Sequence, residues 1–178
     1  MKKVFVFAVA LMFPAFVMAE SPDVKSELND AEIAHVVMTA NQVDIENGKL
    51  AKKKASNKDV LAFAHRMVNE HTDVNKQVKD LTAKLNMSLE DNTVSKTLKA
   101  DGKTDLDKLK NLSSTKFDKA YIDAEIKLQQ TVIDVANTKL VPNVKNEELK
   151  ALLVKVRTAL AAHLERAQTI KDSVGDKH

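Results

Sequence analysis

The sequence has no cysteine and no tryptophan, and only three glycines, three prolines and one tyrosine among 178 residues. Without cysteine, neither a disulfide nor a lipid-modified N-terminal cysteine can form. So few turn-formers and aromatics exclude a sandwich or barrel of many short strands, and they leave little from which to build base-stacking platforms. Isolated glycines make no phosphate-cradling loop, and no Gly-x-Ser-x-Gly elbow presents a nucleophile. No two carboxylates are paired at a defined spacing, so an enzyme is not expected. Charge of one sign is also scarce: 28 Lys and Arg face 25 Asp and Glu, a net +3. The lysines interleave with acids and form no phosphate-tracking stripe, which argues against a nucleic-acid partner. What is abundant is apolar (44%) and mixed-charge (30%) sequence, enough for one folded all-α domain with solvated helix faces.

The N-terminus carries its own signal. Met1-Lys2-Lys3 is positive, Val4 to Val17 is apolar but for Pro14, and Val17-Met18-Ala19 offers small residues for cleavage before Glu20. This is the pattern of a secretory signal peptide over residues 1–19, and it predicts a periplasmic or secreted protein. The apolar run is short of the roughly 20 residues that a membrane-spanning helix needs, so no transmembrane anchor is expected after cleavage. Losing Lys2 and Lys3 with the signal lowers the formal charge from +3 to +1, nearly neutral.

After a polar leader at 20–29, the chain reads as a four-helix bundle domain over 30–174 with a tail at 175–178. Asn29 and Glu32 form a capping-box start for a first helix reaching about Ala55. Asn57 caps a second helix to about Leu85. A long polar connection from Asn86 to Ser114 follows, with Asp101-Gly102 as its clearest turn signal and room for one or two short helices. Ser114 or Thr115 caps a third helix to Leu140, where Pro142 forbids continuation. Asn146, followed by Glu147 and Glu148, starts a fourth helix that lasts to about Val174.

Each helix carries one polar residue inside an apolar row stepped by threes and fours: Glu46, His71, Gln129 and His163. At about 1.5 Å per residue all four fall in the middle of the bundle. Their heights agree best if the long connection carries the chain back along the bundle, giving an up-down-down-up, ferritin-like order. A simple up-down-up-down order leaves a mismatch of roughly 11 Å between His163 and Glu46. Three readings of this layer stay open. Buried polar groups must be paired, so Glu46, His71, Gln129 and His163 form either a hydrogen-bonded layer that fixes helix register or a mononuclear metal or small polar-ligand site, unless a row is misplaced by one helix face and its polar residue lies in solvent. Glu46, His71 and His163 are the candidate ligands, a donor set that suits zinc, copper or iron. The Glu-x-x-His pairs of a two-iron centre are missing, because Val68 and Leu160 stand three residues before the histidines. His35 and His65 lie off the seams and are expected at the surface.

Several segments resemble one family. Phe63-Ala64-His65-Arg66-Met67-Val68-Asn69-Glu70-His71 is similar to the FA-x-x-M-x-x-(D/E)H segment of the domain of unknown function 4142 family, a group of exported bacterial proteins. Phe117-Asp118-Lys119-Ala120-Tyr121 resembles its FD-x-x-Y opening of the third helix, and His163-Leu164-Glu165-Arg166-Ala167 its H-x-x-x-A segment. The resemblance covers about Asp30 to Ser173. It implies a ferritin-like four-helix bundle with an export signal and no established activity or cofactor. Gln129 stands where the family usually has a third-helix histidine, which weakens a metal site in this member. The functional expectation is therefore a non-enzymatic periplasmic bundle with a binding or envelope-stress role and an unidentified protein or small ligand as partner. The alternative is a metal-binding or metal-dependent redox protein.

Overall fold

A computed structural model describes residues 27–175, and the expected signal peptide and most of the leader lie outside them. Five helices follow one another: α1 (Asp30–Lys54), α2 (Lys58–Lys84), α3 (Thr93–Lys110), α4 (Ser114–Val135) and α5 (Glu147–Gly175). A π-helical turn, Ala136–Leu140, extends α4. The fold is all-α, and no strand occurs among the described residues. Among them, no helix is long and apolar enough to cross a membrane.

The sequence signals explain most of the boundaries. Asn29 and Glu32 close the capping box reciprocally, and the Asn57 side chain accepts from the amides of Asp59 and Val60. Asn146 does the same for Glu148 and Leu149 at the start of α5. The start of α4 differs from expectation. Ser113 holds the N-cap position without a side-chain cap bond, and Ser114 has a φ of 51°.

Polar clasps at the bundle ends define the topology. At one end the Asp118 carboxylate, on α4, accepts from the backbone amides of Ser56 and Asn57 and from the Ser56 hydroxyl, bracing the α1–α2 turn. At the other end Asp30, at the start of α1, accepts from the amides of Lys145 and Asn146. Helix α4 thus runs antiparallel to α1, and α5 parallel to it, which is the up-down-down-up order.

The connection before α4 is where the expected picture changes most. It holds a single 18-residue helix, α3, laid along α1 as the crossover. Asp101 and Gly102 sit inside this helix and make no turn. Gly102 serves contact instead, since a Cβ there would stand 2.5 Å from a Val43 methyl. Gly48 plays the same part between α1 and α2, where a Cβ would meet Val68 at 2.8 Å.

The apolar core has two parts. One gathers Ile33, Val36, Val37, Leu140, Leu149 and Leu153 around the end where α1 begins. The other gathers Phe63, Met67, Phe117, Tyr121, Ile122 and Ile170 around the end where α1 finishes. Between them lies a layer of buried polar side chains.

Candidate functional site

The layer is built from α1, α2, α4 and α5. His71, Gln129 and His163 are buried as their places in the apolar rows predict. The two imidazoles meet edge to face, with centroids 5.3 Å apart. Glu46 is the correction: it is exposed, accepts a 2.8 Å bond from Gln42, and takes no part in the layer. The α1 carboxylate in the core is Asp44, only 1% exposed. Residues two apart on a helix point to nearly opposite sides, and α1 is covered on several sides, by α2, α4 and the crossover α3. Its apolar pattern therefore marks no single inward face.

Asp44 is the hub. Its Oδ1 accepts from Gln129 Nε2 at 3.1 Å, and its Oδ2 lies 3.5 Å from His71 Nε2. The other His71 nitrogen, Nδ1, is 2.8 Å from the Asn41 carbonyl oxygen, and Asn41 donates in turn to Asn75. Because that oxygen can only accept, His71 carries a proton on Nδ1, and its Nε2 faces Asp44 beyond hydrogen-bond reach. His163 is arranged likewise. Its Nε2 donates to Glu70 at 2.6 Å, and its Nδ1 is buried without a partner. Burial lowers the His163 pKa, which favours the neutral ring, while the Glu70 hydrogen bond acts in the opposite sense. Burial would raise Glu70, but hydrogen bonds from His163 and Arg66 hold it below its ordinary value.

Glu125, one helical turn before Gln129, is fully buried, and neither carboxyl oxygen has a hydrogen-bond partner. Burial pushes its pKa well above the ordinary carboxylate range. The nearby charge of Asp44 adds to this, and Gln129 and Asn47 pull weakly the other way. The acid form is therefore favoured, a neutral carboxyl beside Asp44. Tyr121, stacked on Phe117 with its hydroxyl unpartnered, is raised for the same reasons: burial first, then Glu125 and Asp44.

Groups of the kind that ligate metals are thus present: two imidazole nitrogens without hydrogen-bond partners and the carboxyls of Asp44 and Glu125. Yet no three His, Cys, Asp or Glu groups among the described residues are gathered so as to hold an ion. The cavity beside Asn41, Asp44 and His71 measures about 20 Å³, and one beside Asn47 about 30 Å³. Each has room for about one water.

A much larger space lies outside the core. Helix α3 packs on α1 and leaves an open trough of about 720 Å³ between itself and α2. Its floor is α1, including Thr39, Gln42 and Glu46; Lys79 stands on the α2 wall and Lys99 on the α3 wall. His35 is half-buried at the trough, 3.6 Å from Asp91, and His65 is exposed.

Sequence reasoning missed Asp44, Glu125 and the asparagines that orient His71. Glu125 did leave a trace, because Ile122, Glu125, Gln129, Val132 and Ala136 step by threes and fours and all five are buried. No match was found among curated proteins or among solved structures. A family model does match, over residues 15–170, most of the chain. The Phe-Asp-x-x-Tyr segment that clasps the α1–α2 turn and the two histidines of the buried layer all fall within that match, and the chain belongs to the family described as Domain of unknown function (DUF4142).

Proposed function

We propose that this protein is an exported, non-enzymatic helical bundle that acts by binding a ligand along the α2–α3 trough. Size carries the reading. The core cavities of about 20 and 30 Å³ admit a water each, whereas the trough, at about 720 Å³, falls in the range of sites that hold organic ligands. In this reading the buried layer fixes helix register: it joins four helices through directional bonds that an apolar core would not supply. The test is a ligand screen by thermal shift on the chain and on Thr39→Trp, which fills the trough floor. Ligands that raise the melting temperature of the first and not of the second support the reading. A screen in which no ligand distinguishes the two defeats it.

One observation favours a second reading, a metal-binding core. His71 Nε2 and His163 Nδ1 are buried without hydrogen-bond partners, each ring oriented by a hydrogen bond from its other nitrogen, as in metal-ligating histidines. Asp44 takes the place expected for Glu46, and binding would require Asp44 and Glu125 to turn toward the rings. Zinc, copper or iron retained at one per chain, and lost in the His71→Leu/His163→Leu variant, would establish this reading. Metal-free protein after saturating exposure would remove it.

A further inference from the structure

The wall that α3 presents to the trough is a ladder of lysines. Lys96, Lys99, Lys103 and Lys110 all line it, at spacings of three, four and seven that keep them on one helix face. Lys79 faces them from α2. Three of the five are engaged locally: Lys103 and Lys110 with Asp107 at 2.6 and 2.8 Å, and Lys96 with Asp91 at 3.9 Å. Lys79 and Lys99, on opposite walls, are exposed and form no ion pair among the described residues.

The lining also contains Met38, Val43, Leu89 and Leu106, and the acids Glu46, Asp91 and Asp107. Glu46 has Gln42 as its hydrogen-bond partner and forms no ion pair among the described residues. A ligand with dense negative charge, such as a polyphosphate or nucleic-acid backbone, meets three carboxylates here and no aromatic platform. A ligand whose carboxylates are spaced, with apolar groups between them, meets lysines and apolar patches in turn. The stretch from Ser95 to Lys110 is about 22 Å long, the length of six or seven extended residues. Both walls are helices whose backbone groups are already paired, so a guest gains no main-chain ladder. Its own peptide groups stay hydrated at the open mouth of the trough.

We infer that the trough receives an extended acidic peptide segment of another protein, with apolar side chains between its carboxylates, held between Lys79 and the Lys96–Lys110 face of α3. The inference rests on the trough being the binding site. The selectivity comes from charge placement and from the apolar patches of Met38, Val43, Leu89 and Leu106, so it discriminates by composition more than by exact sequence.

The experiment uses a fluorescent heptapeptide of alternating Glu and Leu, the same peptide with Lys for Glu, and inorganic polyphosphate, each titrated into the chain and followed by anisotropy. The Glu peptide binds, more weakly as salt rises, and the Lys peptide does not. The Lys79→Glu/Lys99→Glu variant loses at least about tenfold in affinity, while Lys119→Glu, an exposed lysine on α4, leaves it unchanged. Circular dichroism and melting temperature check that the charge variants remain folded. Binding that ignores Lys79 and Lys99, equal binding of the Lys peptide, or tighter uptake of polyphosphate overturns the inference. So does a concentration-dependent dimer that Lys79→Glu/Lys99→Glu dissolves, which would make a second copy the occupant. The two proposals fail differently: polyphosphate taken up by the chain and lost in Thr39→Trp leaves the trough a binding site with another guest, whereas a ligand screen in which nothing, these probes included, is sensitive to Thr39→Trp defeats both.

Discussion

Replacing Glu125 by glutamine should make the protein more stable at neutral pH. In the folded chain Glu125 is fully buried, its oxygens are unpartnered, and burial together with Asp44 raises its pKa well above the ordinary range. The unfolded chain ionises it near pH 4.3, so the folded state binds the proton more tightly. For a raised pKa, this group's contribution is fully present below the unfolded value and is lost as pH rises through the folded one, at about 1.4 kcal/mol per unit of separation. Glutamine is the neutral isostere of the protonated acid. It removes that slope, and its amide can donate to Asp44. The gain at pH 7–8 should be on the order of 1–3 kcal/mol, the size of the penalty for an unsatisfied buried polar group. That corresponds to about 2–4 °C in melting temperature for each kcal/mol. Glu70 and His163, both lowered, titrate in the other direction and lose stability as pH falls, but they do so in both proteins. The difference between variant and parent should therefore be near zero at pH 4 and widen toward pH 8. Urea unfolding followed by circular dichroism at steps of pH measures it. A difference that stays flat across this range, or a variant that loses stability as pH rises, would refute the assignment of a neutral buried Glu125.

Other substitutions probe the joints of the fold. Asp118→Ala removes the acceptor for two amides and a hydroxyl at the α1–α2 turn and should cost about 2–3 kcal/mol in urea unfolding, the order of a lost charged cap. Gly102→Ala brings a Cβ to 2.5 Å from a Val43 methyl and should cost about 1–3 kcal/mol, part of which Val43→Ala restores in a double-mutant cycle. His71→Leu leaves Asn41 Oδ1 without its donor and should lower stability by about 1–3 kcal/mol. If the layer fixes register, the loss is the same with or without added zinc; a loss seen only with zinc present would favour the metal reading.

The histidines and Gln129 were legible because each interrupts an otherwise apolar row, and a polar residue in such a row has few places to go but inward. Asp44 was not. Its helix is packed on several sides, so rows through Glu46 and through Asp44 look equally plausible, and only the partner helices decide which carboxylate is buried. Glu125 was hidden by a sound prior, since carboxylates seldom enter cores. It is tolerated here because it holds a proton, a property of its surroundings that no local pattern records. The helix caps were readable at Asn29, Asn57 and Asn146, where the bonds are local. Asp118 was not readable as a clasp, since its partners lie some sixty residues away. Asp101-Gly102 misled because glycine signals both turns and close approach; Val43, on another helix, settles it as the second.

Within the crossover helix only Ser95, Leu98 and Leu109 are buried. The other four helices close a core around the polar layer. Helix α3 is therefore suited to open as a separate cooperative unit, at a lower free energy than global unfolding, and its amides should exchange with solvent before those of α2 or α5. Because the same helix forms one wall of the trough, such opening would change the width of the groove while the bundle beneath stays closed. A ligand lying against that wall must then do the work of holding it in place. It would slow hydrogen exchange along the whole of α3, beyond the lysines it touches, and part of its affinity would be spent on that ordering.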